Sequence, residues 1–390
     1  SDFHYLTGFD EPQSVLLLTN QHEEHQMVLF VRPRKREREI WDGPRAGVEG
    51  AVNDFGADAA FPIDELADKL PDYLGNVQRL HYRIAQNDTA DATLFDCLNL
   101  LRRGGRRGVS APEAIIDTSV HLHEMRMRKS AAELATMRRA AEITREAHLR
   151  AMQVASPGKH EYEVDAELMH VFRMQGSERP AYESIVGSGP NATILHYRAG
   201  DRVLNDGELL LIDAGCEYGY YASDVTRTFP VNGKFSPEQR AVYEVVLRAQ
   251  TQSIAAVKPG VTLEQIHDGA VRAITEGLIG IGLLEGDVDA LIQDKKHEAF
   301  YMHRTSHWLG MDVHDVGRYF VDGAHRPLEP GFVLTIEPGI YIATDAEDVD
   351  ERWRGIGVRI EDDVAVTSDG HEVLTAGIPK ELDEVEAACS

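Results

Sequence analysis

Residues 209–229 read LLLIDAGCEYGYYASDVTRTF, an apolar run that ends on a carboxylate. Leu209, Leu210, Leu211 and Ile212 carry the pattern of a buried strand, and Asp213 follows at once. Asp224 sits farther on, in an alternating Tyr, Ser, Val, Thr and Phe segment that reads as the return strand of a hairpin turned at Gly215 to Gly219. Two carboxylates would then face each other across one sheet. Burying like charges side by side is costly unless something compensates, and a cation between them is the simplest compensation. A solvated strand-end Asp and a solvated turn Asp give the same pattern, so the choice rests on the remainder of the chain.

Composition narrows the classes. The 390 residues suffice for one large or two ordinary domains, and 43% hydrophobic with 27% charged residues is the balance of a soluble globular protein. Forty Lys and Arg against 65 Asp and Glu give a net charge of -25, which opposes nucleic acid or an anionic membrane as partner and favours cations. Cys97, Cys216 and Cys389 offer neither a disulfide framework nor a CxxC metal motif, so a reducing cytoplasm is expected. No run approaches the roughly 18 apolar residues of a membrane span, and the start, SDFHYLTGF, has neither a basic nor an apolar signal region.

Residues 1–116 alternate short apolar strands (SVLLLT at 14–19, HQMVLFV at 25–31) with helical patterns such as FPIDELADKLPDYL and ATLFDCLNLLRR. That predicts an N-terminal α/β domain with a mixed sheet, ending past Ser110 to Pro112. The basic cluster of Arg102, Arg103, Arg106 and Arg107 around Gly104 and Gly105 reads as a solvated turn. A linker helix is expected over 117–128, followed by a second domain over 129–390 that opens on a long helix with a stripe of Leu134, Met137, Ala141, Ile143 and Ala147.

The second domain contains a weak repeat. A helix, Pro157-Gly158 and a further helix recur as a helix, Pro259-Gly260 and a helix, and each unit is followed by a strand pattern that carries histidine. These patterns are SIVGSGPNATILHY, with His196, and AFYMHRTSHWLG, with His303 and His307. Such duplication would set two half-sites face to face over one sheet. Beyond residue 310, FVLTIEPGIYI and GVRIEDDVAVT each hold a Glu, Glu337 and Glu361, inside an otherwise apolar strand pattern.

Asp213, Asp224, His307, Glu337 and Glu361 therefore all lie in or at the end of apolar strand patterns, whereas solvated acids usually sit in charged loops. Four carboxylates and one imidazole with no thiolate suit Mn²⁺ and tolerate Co²⁺ or Zn²⁺. For one divalent ion the set carries excess negative charge; for two ions about 3.5 to 4 Å apart the charges cancel, so two metals are expected.

The segments LLLIDAG, SDVTRTFPVNGKF, MHRTSHWLGMDVHDVG, LTIEPGIYIA and RGIGVRIEDDVAVT resemble the metallopeptidases of the pita-bread fold, and nearly the whole chain is similar to the aminopeptidase P (Xaa-Pro aminopeptidase) family. The likeness starts at SDFHYLTGF, some way inside that family's N-terminal domain, so the domain's first strand and helix are expected to be missing. The fold implied is an α/β (α+β) chain: the N-terminal α/β domain, then a C-terminal pita-bread (creatinase/aminopeptidase) domain with pseudo-two-fold symmetry.

By this resemblance Asp213 chelates one metal, His307 and Glu337 the other, and Asp224 and Glu361 bridge both. A hydroxide between the ions is the implied nucleophile, with Glu337 as its proton acceptor and as shuttle to the leaving imino nitrogen. His196 and His314 point into the substrate site, one of them toward the oxyanion. Arg359 holds a metal carboxylate, and His303 and Tyr341 belong to the substrate pocket. Trp41 is similar to a tryptophan that reaches the site from a neighbouring subunit, implying a dimer or tetramer, and Arg106 to a residue near the downstream part of the peptide. Each of these side chains, met singly, is also what an ordinary core or surface supplies.

One departure is Arg304, where the family commonly has Gly after the first histidine of HxxxH; a guanidinium there would clash with a peptide or pair with its carboxylate. The expected activity is removal of an N-terminal residue preceding proline. Prolidase, the related Xaa-Pro dipeptidase, shares all five ligands and is the alternative enzyme. A metal-free pita-bread binding module is the alternative outside catalysis, and its members lose ligands that this chain keeps.

Overall fold

In the computed structural model, which describes residues 1–389, the opening run is the middle strand of a three-stranded sheet, and every one of its residues from Leu209 to Asp213 is buried. The chain forms two compact units, divided between Glu124 and Met125.

In the first unit α1 (Asp2–Thr7) precedes β1 (Val15–Leu18) and β2 (Met27–Val31), which pair antiparallel. Helices α2 (Arg36–Asp42) and α3 (Gly47–Asn53) carry the chain to β3 (Ala59–Pro62), parallel to β2, so the predicted mixed sheet is present. Its apolar side packs Phe9, Leu29, Val31 and Ala51 together. Then come α4 (Leu66–Leu74), β4 (Arg79–His81), α5 (Asp88–Arg103) and β5 (Ala114–Ile116), with β4 and β5 parallel. The Gly104 to Arg107 segment is a short 3-10 turn with no buried residue, as a solvated basic turn requires.

Helix α6 (Ser119–Met127) runs across the division between the units. The next helix is separate: Ser130 caps α7 (Ala131–Val154), its hydroxyl accepting from Glu133 N while the Glu133 carboxylate accepts from Ser130 N. That reciprocal pair satisfies two of the amides that every helix start leaves open.

In the second unit α7 and α8 (Glu161–Met174) lead to β6 (Arg179–Pro180) and β7 (Ile185–Ser188), and β8 (Leu209–Asp213) pairs antiparallel with β7. The expected single hairpin is more elaborate. A tight turn at Gly219 and Tyr220, both at positive φ, joins β9 (Cys216–Tyr218) to β10 (Tyr221–Ala222). The strand that returns along β8 is β11 (Thr226–Pro230), which sets Thr226 opposite Asp213. Asp224 lies in the unpaired link before β11. A Cβ at Gly215 would stand 1.7 Å from the Ser223 carbonyl oxygen, so only glycine lets the link cross close enough to bring Asp224 beside β8.

The repeat is visible in the backbone. Gly158 N donates to Leu204 O and Gly260 N to Leu328 O, both at 2.9 Å; Leu204 N returns to Lys159 O and Leu328 N to Val261 O, both at 2.7 Å. Gly158 follows α7, and Gly260 follows α9 (Pro237–Ala256), which packs on α10 (Leu263–Gly280) as α7 packs on α8. After α11 (Val288–Gln293) and the hairpin β12 (Phe320–Val321) and β13 (Ala324–His325), Leu328 leads into β14 (Val333–Ile336) as Leu204 leads into β8. Asp213 ends β8 and Glu337 follows β14 directly, so each half delivers an acid at the same place.

The remaining strands are β15 (Gly339–Tyr341), β16 (Gly357–Arg359), β17 (Asp362–Val366) and β18 (His371–Val373), before α12 (Leu382–Ala388). Strand β14 pairs with β17 and β15 with β16, which places Glu337 and Glu361 at the breaks between paired strands rather than within them. AFYMHRTSHWLG is not the strand that its pattern suggests. Its alternate residues do bond to β14, through Thr335 N to His307 O and Leu309 N to Val333 O, but His307 N goes to the Thr335 hydroxyl instead of its carbonyl, so no regular ladder forms. Helices α7 to α10 cover the sheets, with Ile143, Phe172, Tyr243 and Ile274 packed on Leu210, Ile212, Phe229 and Val358. Each such side chain contributes about 1.5–3 kcal/mol, which gives the site a rigid floor.

Candidate metal centre and active site

Asp213, Asp224, His307, Glu337 and Glu361 all line one cleft of about 890 Å³, lined wholly by residues of the second unit. Asp224, His307 and Glu361 each offer a ligand atom within 4.8 Å of one another. His307 Nε2 lies 3.3 Å from Asp224 Oδ2 and 3.7 Å from Glu337 Oε1, so Glu337 borders the same group. The other ring nitrogen, Nδ1, is 3.1 Å from Trp308 O, which orients the imidazole with Nε2 toward the acids.

Asp213 is held from two sides. Tyr182 donates its hydroxyl to Oδ1 at 2.6 Å, and Arg359 donates Nη2 to Oδ2 at 2.6 Å. Arg359 also donates Nη1 to Tyr341 Oη at 2.9 Å and Nε to Thr226 Oγ1 at 3.0 Å, and Thr226 in turn donates to Glu361 Oε2 at 2.7 Å. One guanidinium thus grips Asp213 directly and Glu361 through a single hydroxyl. Asp224 is fixed through its backbone: its amide stands 3.2 Å from both carboxylate oxygens of Asp363, which also accepts from Ser223 Oγ at 2.8 Å. Behind β8, His148 Nε2 lies 2.9 Å from the carbonyl of Ala214.

The electrostatics of this cluster test whether it suits a cation. Burial raises the Asp213 carboxyl against the opposing charge of Arg359, and burial pushes Glu337 up to about 7 despite His307 and Arg359. Glu361 is held well above the carboxylate range by burial and then by Asp224, Glu337 and Asp213. For His307 burial pulls downward, but the hydrogen bond and charge of Asp224 outweigh it and lift the ring to about 9. Buried acids that converge are short of positive charge, and a proton and a metal ion compete for the same lone pairs. An oxygen-rich set with one imidazole and no thiol is the donor chemistry of hard to borderline divalent metals, so the residues fit such an ion.

The other expected residues fall into three groups. His196, His303, His314 and Arg359 line the cleft; the His314 ring stands edge-on to His307 at 4.4 Å between centroids, and His303 Nε2 lies 2.9 Å from Tyr341 Oη. Tyr341 is buried behind the lining, joined to both His303 and Arg359. Trp41, 84% exposed on α2, and Arg106, exposed in the 3-10 turn, are outside the lining.

Three contacts were not foreseen. Thr226 lies two residues past Asp224 and Asp363 two past Glu361, an alternation that hinted at shared faces. Tyr182 carries no such hint, because it comes from the loop before β7.

Residues 135–368 match metallopeptidase family M24, and residues 1–81 match the N-terminal domain of aminopeptidase P. The Xaa-Pro aminopeptidase of Escherichia coli is 46% identical over 388 residues, spanning 99% of this chain and 88% of that protein. Among solved structures, Pseudomonas aeruginosa aminopeptidase PepP superposes with a TM-score of 0.98 at 52% identity, covering 100% of this chain and 88% of that one. A zinc-substituted Escherichia coli aminopeptidase P in complex with product gives 0.95 at 46% identity, with coverage of 100% and 88%. With the family match extending over the cleft and the likeness over both units, the chain belongs to the aminopeptidase P members of metallopeptidase family M24.

Proposed function

We propose that this chain is a dinuclear, Mn²⁺-dependent Xaa-Pro aminopeptidase that hydrolyses the first peptide bond of peptides with proline in second place. The observation that carries it is the meeting of Asp213, Asp224, His307, Glu337 and Glu361 in one cleft, in a chain 46% identical to an Xaa-Pro aminopeptidase. Asp213 would serve one ion, His307 and Glu337 the other, and Asp224 and Glu361 both; the position of Asp224 and Glu361 with His307 in the 4.8 Å cluster supports this division. When bound, the metals supply an activated water at neutral pH and a Lewis acid for the scissile carbonyl.

The side chains supply the rest. Glu337, in the cleft beside His307, would take a proton from the nucleophile and deliver it to the imino nitrogen of the leaving proline. One of His314 and His196 donates a hydrogen bond to the oxyanion from the cleft wall, where both lie. His303, braced on Tyr341, contributes an imidazole face to the proline pocket, while Arg359 aims Asp213 through its 2.6 Å hydrogen bond. The exposed Trp41 suits a homo-oligomer in which a neighbouring subunit covers it, with Arg106 close to the downstream peptide. A cytoplasmic location accords with free thiols at Cys97, Cys216 and Cys389, and no helix among the described residues is long and apolar enough to cross a membrane.

The test strips the protein of metal and supplies Mn²⁺ with Xaa-Pro or Xaa-Pro-Yaa-Zaa peptides. Release of Xaa from the longer peptides is expected. Hydrolysis of the dipeptide alone would transfer the chain to the prolidases, and activity that survives both chelation and Asp224→Ala would overturn the metal mechanism.

A further inference from the structure

The cleft wall beyond His303 carries charges that the metal chemistry leaves unused. Arg304 follows His303 and lines the cleft, its guanidinium hydrogen-bonded to the carboxylate of Glu264 in the first turn of α10. His325 Nε2, on β13, stands 3.9 Å from the same carboxylate oxygen. The backbone beneath is fixed. His303 Nδ1 lies 2.8 Å from Arg304 O, and the buried Thr305 holds Tyr301 Oη and His267 Nδ1 through its hydroxyl. Thr305 O accepts from Glu337 N at 2.8 Å, so Arg304 is one residue from a segment bonded directly to a proposed metal ligand.

Above this rigid base the pair itself is loose, with side chains 57% and 33% exposed. Exposed pairs of this kind hold weakly, whereas a planar guanidinium binds an incoming carboxylate through two parallel hydrogen bonds. Glu264 is therefore exchangeable. Two residues past the scissile bond span at most about 7 Å, so the C-terminus of a tripeptide cut at the acids ends inside the cleft that Arg304 also lines, while that of a long peptide extends beyond it.

We propose that Arg304 is a carboxylate-binding subsite that takes the free C-terminal carboxylate of short Xaa-Pro-Yaa substrates, with Glu264 holding the guanidinium in place until the peptide displaces it. This rests on the Xaa-Pro aminopeptidase reading and adds the class of peptide preferred. An acidic side chain in the third position presents the same chemistry, and the test separates the two.

Three peptides are compared with the Mn²⁺-loaded full chain: Xaa-Pro-Ala as free acid, the same peptide as C-terminal amide, and Xaa-Pro-Glu amide. The acid is expected to exceed the alanine amide about tenfold in kcat/KM, mostly through KM, as loss of one charge-assisted contact would give. Arg304→Gln should bring that ratio to about one, Arg304→Lys should keep part of it, and Glu264→Gln should raise it by removing the competing carboxylate. Equal turnover of acid and alanine amide by the unmodified protein overturns the proposal, as does an acid preference that persists in Arg304→Gln. If Xaa-Pro-Glu amide exceeds the alanine amide while the acid does not, Arg304 reads an acidic side chain and the C-terminal assignment is wrong. If none of the three is cleaved, the aminopeptidase reading itself has failed.

Discussion

Arg359 Nη2 lies 2.6 Å from Asp213 Oδ2, joining two buried groups carried by β16 and β8. This is the one direct ion pair between an arginine and the acids expected to hold metal, among the described residues. Breaking a buried pair by removing one partner typically costs about 3–5 kcal/mol. Arg359→Leu should lose that order of stability in urea denaturation of metal-free protein, and Mn²⁺ should restore part of it by supplying positive charge. Arg359→Lys should be intermediate, since an ammonium cannot reach Asp213, Thr226 and Tyr341 in one plane. A loss below about 1 kcal/mol in Arg359→Leu would mean that the pair holds nothing in place.

The two acids of the opening segment are predicted to be unequal. Asp224 lies in the 4.8 Å cluster with His307 and Glu361, and Asp213 lies outside it. Elemental analysis after equilibration with Mn²⁺ should find about half the metal in Asp213→Ala and almost none in Asp224→Ala, as expected where one ligand serves one ion and the other serves both. Equal losses in the two variants refute the division.

Tyr182 acts through Asp213. Removing its hydroxyl in Tyr182→Phe deletes the 2.6 Å bond to Oδ1 without changing the ring. Residues that orient a metal ligand typically shift metal affinity by about 10–100-fold. Competition calorimetry should show a weakening of at least tenfold for Mn²⁺; unchanged affinity would reduce Tyr182 to a wall of the cleft.

His148 makes stability depend on pH. Burial lowers its pKa to about 4 from an ordinary 6.5, so between these values the unfolded chain takes up a proton that the folded chain refuses. Stability from this group is therefore unaffected above 6.5 and falls as pH drops from 6.5 toward 4. Between pH 7 and pH 5 the loss from His148 alone is about 2 kcal/mol. His148→Gln should decline less than the unmodified protein across that interval in denaturant titrations. Parallel curves would show that the ring charges without penalty.

Much of this was legible in the sequence because local pattern and chemistry agreed. An apolar strand ending on Asp213, acids in the apolar runs around Glu337 and Glu361, and two Pro-Gly turns after helices are one-dimensional signals of burial and duplication. Alternation, however, says which face a residue takes and not where pairing stops. His307 therefore read as a strand residue, although its amide bonds to the Thr335 hydroxyl and breaks the ladder.

The sequence by itself determined the types of the candidate ligands and their order along the chain, since acids in apolar runs, without thiols, already point to a metal as their compensation. Only the tertiary structure decided the partners. Thr226 links Arg359 to Glu361, Asp363 fixes the amide of Asp224, and Tyr182 reaches Asp213 from a loop, none of which a periodicity encodes. For all but Tyr182, the reason is distance along the chain. Residues more than a hundred positions apart meet because β8 and β14 are laid down by equivalent halves, and Gly215 admits the close crossing that turns the stretch from Leu209 to Phe229 into a site.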